Sequence, residues 1–63
     1  MTIEDPRFDI GASIRLIGTN HTGTVISGHY NFTRLICFWS YKIALERSGV
    51  MVEWIETDCE KIE

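Results

Sequence analysis

The chain has 63 residues, 44% of them hydrophobic and 24% charged, and a formal net charge of -3. This length limits it to one small domain, and its six basic residues are scattered, which disfavours tight binding to a nucleic-acid phosphate backbone. The first residues are acidic and include no apolar block, so neither a secretory leader nor a membrane span is predicted. We therefore expect a cytoplasmic protein with reduced cysteines.

The first ten residues include Pro6 and show no sustained hydrophobic period. This pattern predicts an arm that crosses the fold or frays. Phe8 and Ile10 are the side chains expected to anchor the end of this arm. Residues 11–63 are then expected to form the domain itself.

Two short strands are predicted after the arm. Residues 12–17 alternate between apolar and polar, with Ile14 and Leu16 on one side. A turn with two glycines follows, and the β-branched residues 24–27 predict a second strand that ends at Gly28.

The third and fourth strands, Thr33 to about Lys42 and Val50 to Glu56, are apolar on both alternating faces. A strand of an antiparallel sheet normally buries one face and leaves the other in water. The face assigned to the core carries Leu35, Cys37, Trp39 and Trp54. The opposite face is left with Ile36, Phe38, Met51 and Ile55. This surplus predicts a second buried surface, against another copy of the chain or another protein, with Tyr30 at its rim.

Residues 40–49 also fit a two-turn helix, because a serine N-cap, good helix formers and a glycine stop follow one another. A hairpin closed by Gly49 in a left-handed conformation is the preferred interpretation, since it lets the two apolar strands pair directly. Residues 57–62 predict a one-turn 3-10 helix and a last short strand in which Ile62 points inward. Five short strands with glycine-rich turns predict an all-β fold, a small barrel.

Four runs of residues resemble known families. The opening of SH3-like barrels of the KOW kind is similar to Gly11-Ala12-Ser13-Ile14-Arg15-Leu16 followed by Gly23-Thr24-Val25-Ile26. The hydrophobic-x-Cys-x-Trp strand of the YodC-like family of small bacterial proteins resembles Leu35-Ile36-Cys37-Phe38-Trp39, and its later aromatic and acidic turn resembles Trp54 with Glu56-Thr57-Asp58. The resemblance covers roughly residues 10 to 62. It implies a five-stranded SH3-like barrel, and as an alternative function a KOW-type domain associated with nucleic acid or ribonucleoprotein.

One further resemblance concerns an enzyme. Type II dihydrofolate reductases are SH3-like tetramers whose active pore is lined by a Val-Gln-Ile-Tyr strand, and Val52-Glu53-Trp54-Ile55 occupies a comparable place. This chain lacks the glutamine and the tyrosine, and a glutamate there would repel folate and the nicotinamide cofactor, which are anionic. We therefore expect no enzyme and no cofactor.

Metal and nucleophile chemistry is also not predicted. Cysteine and histidine occur at His21, His29, Cys37 and Cys59, without the Cys-x-x-Cys or His-x-x-x-His spacing of zinc sites. A cysteine nucleophile needs an exposed thiolate beside a histidine base, whereas Cys37 is expected in the core. The sequence thus predicts a non-catalytic interaction module, most simply a two-fold homodimer, with no catalytic, metal or small-molecule site.

Overall fold

The computed structural model describes residues 5–62 and contains five strands and one short helix. The strands are β1 (Ser13–Leu16), β2 (Thr22–Phe32), β3 (Cys37–Leu45), β4 (Met51–Ile55) and β5 (Cys59–Lys61), and a 3-10 turn spans Glu56–Asp58 between β4 and β5. They form one antiparallel sheet in the order β4-β3-β2-β1-β5. The predicted all-β fold and its 3-10 turn are confirmed. Closure into a barrel stays a prediction, because β4 and β5 lie at opposite ends of this order.

The core lies on one face of the sheet, which we call the inner face. Its buried hydrophobic side chains are Phe8, Ile14, Val25, Tyr41, Ile43 and Cys59. Ala12, Trp39, Val52 and Trp54 pack against them from the margin. The predicted inward positions of Ile14, Trp39 and Trp54 are confirmed. Phe8 anchors the arm as predicted, with its ring edge against Tyr41 at a centroid distance of 5.4 Å.

β2 is much longer than the predicted strand over residues 24–27. A β-bulge between Val25 and Ser27 lets the chain bend and continue to Phe32. Gly28 does not end the strand as predicted. A Cβ atom at Gly28 would lie 3.4 Å from ring atoms of Trp39 and Tyr41, so this residue passes under two aromatic rings of β3.

β3 begins later than predicted, because residues 33–36 form the turn of the β2–β3 hairpin. The Thr33 N–H donates to the Ile36 carbonyl at 2.8 Å, which reverses the chain before Cys37. The predicted core positions of Leu35 and Cys37 are therefore wrong, and both side chains are exposed. The competing helix over residues 40–49 is also wrong, since β3 pairs with strands on both sides as far as Ala44.

Two predicted apolar anchors point away from the core. Ile10 precedes Gly11, whose φ of +92° with the Ala12 N–H to Asp9 carbonyl bond makes a turn that leaves Ile10 exposed. Ile62 follows Cys59 by three residues, so the alternation of β5 places it opposite to the buried thiol. Gly49 has a φ of +70°, as predicted for the hairpin loop. Within residues 5–62 no helix is long and apolar enough to cross a bilayer.

Candidate interaction surfaces

Three of the predicted interface residues lie on the outer face of the sheet, away from the core. Ile55 is directly opposite Ser40, and Met51 is directly opposite Ala44. Phe38 is two residues before Ser40, which makes it a diagonal neighbour of Ile55. Phe38 is half-buried, whereas Met51 and Ile55 are exposed.

A charged pair divides this outer face. Lys42 is directly opposite Glu53, and the pair lies between the Phe38 and Ile55 end and the Met51 end. The apolar side chains of the outer face therefore form two separate areas. Neighbouring charges of opposite sign also make this part of the face neutral overall.

The other two predicted interface residues lie elsewhere. Ile36 belongs to the hairpin turn and is exposed. Tyr30 is directly opposite Trp39 and shares the inner face with it. The five residues are thus brought to three places, of which only the outer face collects more than one of them.

An exposed apolar cluster lies at the end of the hairpin, and of its members only Ile36 was among the predicted interface residues. We call it the tip cluster: Phe32, Leu35 and Ile36, exposed at 65%, 97% and 57%. The Thr33 hydroxyl accepts hydrogen bonds from the N–H groups of Leu35 and Ile36, at 3.2 and 3.1 Å. These bonds hold the turn that presents Leu35 to solvent. Thr33 itself was the available signal, because a threonine hydroxyl that caps nearby N–H groups favours a turn.

A row of aromatic rings connects this tip to the core. Its successive members along the inner face are Phe8, Tyr41, Trp39, Tyr30 and Phe32. The centroid distances are 5.4, 6.4, 5.4 and 6.4 Å in that order. Edge-to-face and offset aromatic pairs at these distances each stabilise the fold beyond the contribution of the apolar area that they bury. The row gives the long hairpin a rigid attachment to the small core.

The arm, β3 and the 3-10 turn meet at one carboxylate. Glu56 Oε2 accepts a hydrogen bond from the Tyr41 hydroxyl at 2.5 Å and another from the Arg7 N–H at 3.0 Å. Burial, and then this hydrogen bond, raise the pKa of Tyr41 to about 12. The phenol therefore stays protonated as a donor through the neutral range.

The buried thiol is not arranged as a nucleophile. Burial, and then the nearby charges of Asp58 and Glu56, raise the pKa of Cys59 to about 11. Its thiol donates to the Ile55 carbonyl at 3.4 Å. A protonated, buried thiol is inert toward electrophiles at neutral pH.

Two shallow cavities open on the described surface. The larger, of 510 Å³, lies between the loops before β2 and after β3 and is lined by Asn20, His21, Thr22, Leu45, Arg47 and Ser48. Next to it, the Thr22 hydroxyl donates to the Glu46 carboxylate at 2.8 Å, so groups of both charge signs border the opening. The smaller, of 340 Å³, is bordered by Phe8, Trp39 and Tyr41. The lining of the larger cavity includes one charged side chain, Arg47, and the lining of the smaller includes one, Asp9.

Within residues 5–62 no group of three or more His, Cys, Asp or Glu side chains is placed to hold a metal ion. Comparison of the chain with protein-family models, with curated proteins and with solved structures found no match.

Proposed function

We propose that the chain is a non-catalytic interaction module that binds a second copy of itself, or another protein, through apolar side chains of its edge strand β4. The observation that supports this proposal is the number of hydrophobic side chains that are exposed, compared with the number that are buried. Six hydrophobic side chains form the core of residues 5–62, whereas ten large hydrophobic side chains are exposed. We use the name β4 surface for three of these ten, Val50, Met51 and Ile55, which lie on β4 or next to it.

The physical reason is that a small domain gains little from its own core. A domain of about 60 residues buries only about 60% of the surface of its unfolded chain. Further apolar area covered by a partner adds roughly 25 cal/mol for each Å² removed from water.

Two finer expectations belong to the same proposal. An SH3-like barrel is supported by five short antiparallel strands with a 3-10 turn before the last. A cytoplasmic location is supported by two free thiols, one of them exposed, because exposed thiols persist in reducing compartments.

The proposal is tested with a matched pair of variants. Met51 and Ile17 are both 53% exposed, and only Met51 belongs to the β4 surface. We expect the native chain to sediment as more than one chain at micromolar concentration, Met51→Glu to sediment as a single chain, and Ile17→Glu to sediment like the native chain. Far-UV circular dichroism checks that both variants keep the fold. Equal sedimentation of all three proteins would remove self-association through the β4 surface from the proposal.

A further inference from the structure

The two edges of the sheet differ in what they offer to a partner. β5 has three residues, two of them charged, and the Cys59 N–H at its edge is already bonded to the Glu56 carbonyl. Glu60 is also held in an ion pair by Arg15 of β1. Charges and short length are the usual means by which proteins block a sheet edge. β4 is longer, and four of its five residues are apolar.

Hydrogen bonding on the β4 edge follows from the β3–β4 register. Leu45 N–H donates to the Val50 carbonyl at 3.0 Å. Hydrogen-bonded pairs alternate along an antiparallel ladder, so the next ones toward the 3-10 turn are Ile43 with Val52 and Tyr41 with Trp54. The N–H and C=O groups of Met51 and Glu53 therefore point outward, to the side of β4 where no strand of residues 5–62 pairs with it. Their geometric complement is another extended strand.

We propose that β4 pairs antiparallel with β4 of a second copy, about a two-fold axis at Val52, so that two five-stranded sheets become one continuous sheet. This inference rests on the proposed function and specifies its partner and its contact. The second copy is chosen because it presents the same open edge and the same apolar side chains.

Charge selects the register. An axis at Glu53 would place the two Glu53 carboxylates directly opposite each other, which destabilises a strand pair. An axis at Val52 moves them to diagonal positions and places each Glu53 between Lys42 of its own β3 and Met51 of the second copy. Each line of facing residues across the outer face then has one positive charge, on Lys42, next to one negative charge, on Glu53.

The ends of β4 select the same register. An axis at Trp54 would require residues 56 and 57 to pair, and these belong to the 3-10 turn. An axis at Val52 instead extends the pairing to Val50, which is exposed at 54%, and brings it opposite Trp54 of the second copy. This contact between Val50 and Trp54 occurs twice in the pair, once on each side of the axis.

The first test measures amide hydrogen exchange of the native chain at low and high protein concentration. We expect exchange at Met51 and Glu53 to slow by more than about tenfold at high concentration, because exchange requires opening of the new pairs. Val52 and Trp54 serve as internal controls, since their N–H groups bond to β3 in either case. Sedimentation of the same samples reports association independently.

The second test reports the register. In a Cys37→Ser background, Val52→Cys is expected to form a disulfide-linked dimer under mild oxidation, because residues facing each other at the axis approach within disulfide range. Glu53→Cys, which would lie diagonally, is expected to cross-link at least about tenfold more slowly. Faster cross-linking of Glu53→Cys would overturn the Val52 axis.

The outcomes separate the two claims. Association without concentration-dependent protection of Met51 and Glu53 overturns pairing through the β4 edge and leaves the interaction module standing. A native chain that sediments as a single chain at every concentration overturns pairing between copies, and removes self-association from the proposed function with it.

Discussion

At the scale of single residues, Gly23 is the position with the least freedom. A Cβ atom built there would lie 2.5 Å from Ile43 Cγ2 and 2.6 Å from the Ala44 carbonyl oxygen. Gly23 also pairs with Ile14 of β1 on one side and Leu45 of β3 on the other, so its backbone has no open direction in which to move. The glycine is required by close approach of β3 and not by a positive φ.

We predict that Gly23→Ala lowers the free energy of unfolding by about 1 to 3 kcal/mol, as overpacking does in other cores. Gly28→Ala is the matched control, because its Cβ would meet ring atoms of Trp39 and Tyr41 at an ordinary 3.4 Å. Urea denaturation of both variants measures the difference. Equal stability of the two variants would show that β2 and β3 can move apart enough to accommodate a Cβ atom at residue 23 at little cost in stability.

At the scale of elements, the β2–β3 hairpin depends on one side chain at its turn. Thr33 accepts two N–H hydrogen bonds through its hydroxyl and makes a third bond through its own N–H. We predict that Thr33→Ala speeds amide exchange at Leu35 and Ile36 and costs about 0.5 to 1.5 kcal/mol. Thr33→Ser keeps the hydroxyl and is expected to retain slow exchange. Fast exchange in both variants would mean that the backbone bond alone holds the turn.

The elements that alternation specifies were predictable from the sequence. β1 follows a period of two, and Trp39 of β3 and Trp54 of β4 lie on the face that this period assigned to the core. The start of β3 was not predictable in this way, since Leu35 and Ile36 are as apolar as core residues and only the Thr33 hydroxyl marks the turn. The extent of β2 was missed because a bulge carries it past Val25.

The candidate site was predictable in kind but not in position. Apolar excess on β3 and β4 is visible in the sequence, and Met51 and Ile55 are exposed. Its division by Lys42 and Glu53 depends on the register between two strands, which a one-residue shift would change completely.

Burial of Tyr41 and Cys59, and then the hydrogen bond of Tyr41 to Glu56 and the charges near Cys59, make stability depend on pH in the alkaline range. The pKa values of Tyr41 and Cys59 are raised in the fold from 10.0 to about 12 and from 9.0 to about 11. Between these limits the unfolded chain loses its protons first, so the free energy of unfolding falls as the pH rises from about 9 to 12. We predict that Tyr41→Phe, measured by urea denaturation across this range, removes the upper part of the decline. Stability that stays constant up to pH 11 would contradict the protonated, bonded phenol.

At the scale of the whole molecule, a long hairpin extends from a small core. The described chain measures 38 by 22 by 21 Å, and its longest strands, β2 and β3, are those of the hairpin. An elongated molecule of this length exposes more surface to water, relative to its number of buried side chains, than a spherical one does. We expect a partner that covers the exposed apolar side chains to stabilise a protein of this shape.

We propose that another protein chain, most simply a second copy, covers the β4 surface. Sedimentation equilibrium of the native protein over a range of micromolar concentrations tests self-association most directly. The expected result is a mass that rises with concentration toward twice that of one chain. A mass equal to one chain at every concentration, in a sample that stays dissolved, would contradict it.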